Sequence, residues 1–283
     1  MSAAPTRRGV TLVELLIAIV LVTMLAAIGG VITRRVLTVH ARTAATDSRR
    51  SALADALATL ARHAASVQPA DGDLRVVRDT SLEIVHDIGM TTVCRVRGDT
   101  LVVTSGADTV PWSATLPRAI TTDDAVRVWH DADGRWLRRS VLAVAPASGA
   151  CGDSSLAWPS IGAQQLVLDS STGGMRPGVV VRVRQRERWS LVRGGDGNWS
   201  LSLATWDATR NRFAVPQPLL SPLAPPAAPG GPGLLVRAVD AQGRVLADTA
   251  LVDTHALLVT LRFGPSVRLG AITDSVRINV AVR

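Results

Sequence analysis

Lysine and tyrosine are absent from this chain of 283 residues, and phenylalanine and cysteine occur only twice each. All 31 basic residues are therefore arginine. Without lysine there is no Schiff-base former and no lysine base, and neither a nucleophile elbow nor a phosphate-cradling glycine loop is present. There is no C-x-x-C, and His40, His63, His86, His130 and His255 fall without ligand spacing, so the sequence offers no metal site. Asp131-Ala132-Asp133-Gly134 opens like a calcium loop, but Leu142 stands where the bidentate acid belongs, so a hairpin turn is the better reading. The expectation is a protein without catalytic residues or cofactor. A membrane-anchored hydrolase is the alternative from another class, with His86 and His130 as the residues to replace.

What the chain does have is a long apolar run interrupted by one acid. From residue 10 to residue 32 the only charge is Glu14. As a helix these 23 residues rise about 34 Å, enough to cross a bilayer core. A carboxylate facing lipid there costs about 2–3 kcal/mol or more, so Glu14 asks for a partner. Arg7 and Arg8 precede the run and Arg34 and Arg35 follow it, so charge alone does not orient the span. The run exceeds the 7–15 residues or so of a secretory signal, and no cysteine lies near it for lipid attachment.

The series from Arg7-Arg8-Gly9-Val10 to Glu14 and the apolar residues beyond resembles the N-terminus of type IV prepilins. The resemblance implies a leader of residues 1–9, cleavage by prepilin peptidase between Gly9 and Val10, and N-methylation of Val10. Glu14 falls on the family's fifth mature position, where it implies a role in assembly. Val10 departs from the usual Phe or Met. The implied partners are other pilin or pseudopilin subunits and an inner-membrane assembly platform. The implied topology is a single pass of the inner membrane with the N-terminus cytoplasmic, the remainder lying in the periplasm or an extracellular filament. Loss of the leader leaves 283 − 9 = 274 residues and lowers the formal charge from +8 to +6.

Beyond the apolar run, Leu53, Leu57, Leu60, Ala64 and Val67 recur at spacings of three and four. One helix over about residues 11–67 is expected, its membrane part at 10–34 and its amphipathic continuation at 35–68, with Pro69 ending it. Gly29-Gly30 marks either a hinge or a close-packing site. After Gly72 the period changes to short β segments at 74–77, 81–86, 93–97, 101–104, 125–130, 136–144, 179–186, 189–193, 199–206, 234–240, 257–263 and 275–282. The expected fold class is α+β, a long N-terminal helix packed on an antiparallel β-sheet, with residues 69–283 forming the extracytoplasmic domain. Prolines between residues 216 and 232 suggest a surface loop unable to sustain a ladder. The closing strands are similar to those of PilW-type minor pilins and J-type pseudopilins of type II secretion. Chain length also favours a minor subunit, one that initiates or caps a filament.

Cys94 and Cys151 form the one pair available for a disulfide in an exported domain; two buried thiols are the alternative. Arg182, Arg184, Arg186 and Arg188 alternate along one strand, followed by Trp189 and Arg193. Two readings are open: a phosphate track with a stacking ring for captured DNA, or a solvated strand face with Val181 and Val183 turned inward. Trp112, Trp129, Trp136 and Trp158 read as packing residues.

Overall fold

The computed structural model describes residues 12–104, 115–147, 151, 163–264 and 275–282. Trp112 and Trp158 lie outside them, as do Gly9 and Val10. The chain divides into two compact units, residues 1–52 and 53–283.

Helix α1 runs over Leu12–Ala64 without a break, so Gly29 and Gly30 lie within continuous helix. Alanine and leucine favour it, and its threonines, which usually compete with helix, bond back into it. Thr38, Thr43, Thr46 and Thr59 each donate their hydroxyl to the carbonyl four residues earlier, at 2.7–3.1 Å. Glu14 sits in the first turn and Arg62 and His63 in the last, both favourable to the helix dipole. In the first unit the side chains of Leu12 to Ile32, and of Val36, Leu37 and Val39, remain exposed. It is the one helix among the described residues long and apolar enough to span a membrane.

In the second unit the end of α1 is buried. Leu53, Leu57, Leu60 and Ala64, then Val67, are at most 2 % exposed, which is the stripe their spacing predicts. Each leucine so covered contributes about 1.5–3 kcal/mol. The chain then turns through a 3₁₀ segment, Pro69–Asp71, closed by Gly72 in the left-handed conformation.

Among the described residues thirteen strands follow: β1 Leu74–Arg78, β2 Ser81–Arg97, β3 Thr100–Val103, β4 Ala125–His130, β5 Arg135–Pro146, β6 Gln164–Leu168, β7 Val180–Arg193, β8 Trp199–Asp207, β9 Arg212–Phe213, β10 Gln217–Leu223, β11 Leu234–Val239, β12 Ala256–Arg262 and β13 Ser275–Ala281. The pairings β2–β3–β6–β5–β4–β7 return to β2, so six antiparallel strands close on themselves. Val93, Leu101, Val126, Val128, Val141, Leu166, Val181 and Val183 from these strands form one buried cluster. Strands β11, β12 and β13 form a separate antiparallel sheet. The α+β class expected from the sequence is the one observed.

Three β features differ from expectation. Segments 81–86 and 93–97 are one strand, β2, and 179–186 and 189–193 are one strand, β7, because the two pair along residues 81–92 and 180–190. A register shift at Asp87/Gly89 absorbs the irregularity, and a Cβ on Gly89 would stand 2.7 Å from the Thr115 carbonyl oxygen. The short strands β6 and β9 escaped the sequence pattern. The Pro-rich loop at 216–232 is corrected in its first half, where β10 pairs with β8. Its prolines are tolerated because β10 ends the strand order and its register shifts twice.

Candidate functional site

Glu14 is the sequence-predicted assembly residue that the structure describes, and it lies in the N-terminal turn of the exposed apolar stretch of α1. A single helix presenting leucine, isoleucine and valine on all sides is suited to lipid or to the helices of other subunits.

Cys94 and Cys151 are bonded to one another across 57 residues. Cys94, on β2, packs in a small buried cluster with Val102, Ala147 and Ala163. In the chain-entropy account a loop of this length contributes about 3–4 kcal/mol.

The arginine strand is placed differently from either sequence reading. Val181 and Val183 do point inward, at 0 % exposure, but Arg184, on the opposite face of the strand, is equally buried. Register explains it. Asp87 on β2 stands opposite Arg184, and Glu83 stands opposite Arg188. Arg184 Nε donates to Asp87 Oδ1 at 2.9 Å, Arg188 Nη2 to Glu83 Oε2 at 3.0 Å, and Arg186 Nε to Glu83 Oε1 at 2.7 Å. Arg182 Nη1 lies 3.4 Å from Asp87 Oδ2. Burial works against the Arg184 charge, but bonding to Asp73 and Asp87 outweighs it and raises the guanidinium pKa.

Rings of the protein itself cover the other guanidiniums. Arg186 lies 3.8 Å over Trp206, Arg188 3.9 Å over Phe213 and Arg182 4.6 Å over Trp136. Trp189 has the opposite parity along β7, is 0 % exposed, and meets His63 edge-on. The phosphate track with Trp189 as stacking ring is therefore corrected: the ring is interior and the row is bound to carboxylates and aromatics. The solvated-face reading is corrected at Arg184.

Arg184, alone of the row, also holds the turn that follows α1. Arg184 and Arg127, on β7 and β4, converge on Asp73, and Arg127 also bonds Gln68 and Asp71. Asp73 Oδ2 in turn accepts from the Gln68 backbone N–H at 3.0 Å. The turn that follows α1 is thereby tied to two strands by charge-assisted hydrogen bonds.

A second constellation was invisible in the sequence. His63 of α1, His86 of β2 and Glu187 of β7 meet in the interior. Glu187 Oε2 lies 2.9 Å from His63 Nδ1 and 3.1 Å from His86 Nε2, and the imidazoles stack at 4.0 Å. Burial works to raise the Glu187 pKa, but the two histidines overcome this and lower it to about 2. No spacing rule finds such a group, because its members are separated by 23 and 101 residues and belong to three elements. His130, by contrast, serves the β4–β5 hairpin, approaching Asp133 at 3.1 Å.

With this geometry in place, residues 5–30 match the model of the prokaryotic N-terminal methylation motif. Comparison with curated proteins gave no match, and comparison with solved structures gave none. The match is confined to that segment, where it supports a similarity to type IV pilin-like proteins. The likeness is to the N-terminal segment of prepilin-peptidase substrates of the pilin and pseudopilin kind, and it coincides with the one helix among the described residues that is long and apolar enough to span a membrane.

Proposed function

We propose that the protein is a minor pilin or pseudopilin, a structural subunit that initiates or caps a type IV pilus or a related filament, and that it carries out no catalysis. Prepilin peptidase removes residues 1–9, Val10 becomes the methylated N-terminus, and the β domain lies in the periplasm or on the filament exterior. The observation that carries this reading is the methylation motif running directly into an exposed apolar helix whose far end is built into a β domain. Glu14 fits the role because Val10, four residues before it, then bears an amine. That amine, its own or a neighbour's, neutralises the acid in the apolar layer and makes assembly preferable to isolation in lipid.

Mass spectrometry of the mature chain, made in cells with a prepilin peptidase, tests the processing. The expected N-terminus is methylated Val10; a native chain beginning at Met1, or past Ala26, ends the proposal. Glu14→Ala and Glu14→Val are expected to insert normally and to be missing from sheared filaments. Wild-type incorporation of either variant contradicts the role given to Glu14.

A further inference from the structure

Where α1 ends against the sheet, two imidazoles and a carboxylate meet in the interior. His86 Nδ1 lies 3.2 Å from the Asp87 carbonyl oxygen, to which a ring nitrogen can only donate. That bond places a proton on Nδ1, so in the neutral ring Nε2 is the nitrogen left to accept a proton or ligate an ion. Nε2 is buried and makes no hydrogen bond, yet it stands 3.1 Å from Glu187 Oε2. A buried nitrogen without a hydrogen bond beside a buried carboxylate is satisfied by a shared cation, a proton or a metal ion. His63 Nδ1 approaches the same oxygen at 2.9 Å, and the three donor groups fall within 4.8 Å of one another.

We propose that His63, His86 and Glu187 bind a divalent transition-metal ion, of which zinc is the best fit, and that the ion joins the end of α1 to strands β2 and β7. Two imidazole nitrogens and one carboxylate oxygen suit zinc and its neighbours; calcium and magnesium require more oxygen ligands than these residues supply. Bond lengths of about 2.0–2.2 Å set tetrahedral ligands about 3.3–3.6 Å apart, so the observed 2.9 and 3.1 Å open by about half an ångström, and one of the two imidazoles, stacked at 4.0 Å and 9°, turns to bring the ion into its ring plane. The Asp87 carbonyl supplies the outer contact that fixes the tautomer of a ligating histidine. His63, with 20 % of its side chain exposed against 3 % for His86 and 4 % for Glu187, is the route by which an ion and a fourth, water ligand enter. The proposal does not depend on the filament reading.

The test uses the full-length chain in detergent, stripped with EDTA and titrated with Co²⁺ and then Zn²⁺ at neutral pH. The expected result is saturation at one equivalent of Co²⁺ with a tetrahedral visible band, quenching of tryptophan fluorescence through nearby Trp189, displacement by Zn²⁺ and a higher melting temperature. Ca²⁺ and Mg²⁺ should leave all four readouts unchanged. His63→Ala and Glu187→Gln should lose the stoichiometric uptake; alanine suits the helix and glutamine keeps the shape, and if one variant misfolds by circular dichroism the other decides. Absence of saturable uptake by the wild type overturns the proposal and leaves a proton as the bridging cation. Uptake that persists in a folded variant overturns it equally, by placing the ion elsewhere.

Discussion

Arg184 and Asp73 are joined by two parallel hydrogen bonds, Nη1 to Oδ1 at 2.6 Å and Nη2 to Oδ2 at 2.5 Å, with neither side chain exposed. Asp73 ends the turn that leaves the helix, and Arg184 stands in the central strand β7. A buried pair of this kind gives little net stability by itself, since both ions lose their hydration. Its effect is positional: one arrangement of the helix exit satisfies the charges, and any other leaves them buried and unpaired.

Asp73→Ala should therefore cost about 3–5 kcal/mol, nearer the lower figure because Asp87 continues to hold Arg184. Adding Arg184→Met to it should restore part of the loss, so that the double variant is more stable than the sum of the single effects requires. Urea unfolding of the four proteins measures this; strict additivity would mean that the pair is not coupled.

Acid should weaken the fold through Glu187. Its carboxyl has a lower pKa folded, about 2, than unfolded, about 4.5, so the ionised form is favoured by folding. The resulting stability is fully present above the unfolded value and is lost as pH falls from about 4.5 towards 2. The full effect is on the order of 3 kcal/mol. In metal-free buffer, melting temperature against pH should fall more steeply over this range for the wild type than for Glu187→Gln, and identical profiles would refute the assignment.

Gly89→Ala should destabilise by about 1–3 kcal/mol, because the added methyl meets backbone: Thr115 O at 2.7 Å and Leu116 Cα at 3.1 Å. Gly98→Ala meets no neighbour within 4 Å, although its φ of +64° still disfavours a side chain. A smaller loss at Gly98 than at Gly89 in parallel thermal melts is the expected order.

Replacing Cys94 and Cys151 together by serine should cost about 3–4 kcal/mol through the freed 57-residue loop. The wild type should show no reactive thiol under denaturing, non-reducing conditions, and two after reduction. Thiol titration before and after reduction distinguishes a bridge from two buried thiols.

Much of the architecture was written locally. Strand β4 falls on the residues that alternation and the following Asp-x-Asp-Gly turn indicate, and Leu53, Leu57, Leu60, Ala64 and Val67 are buried as their spacing requires. Strand β10 was hidden because proline statistics describe central strands, whereas an edge strand with shifted register leaves room for proline. The arginine row was visible but its role was not. An alternating charge pattern says which side chains share a face, and leaves open whether water or another strand covers it.

By itself, the sequence determined the processing motif, the apolar span with Glu14, the helix stripe and the change to β periodicity, since these depend on residues within a few turns or one strand of each other. Only the tertiary structure decided that Glu83 and Asp87 neutralise the arginines, that Asp73 pins the helix exit and that His63, His86 and Glu187 meet. Those contacts arise from strand register and from the docking of a helix end, and register is a property of paired segments far apart in the chain.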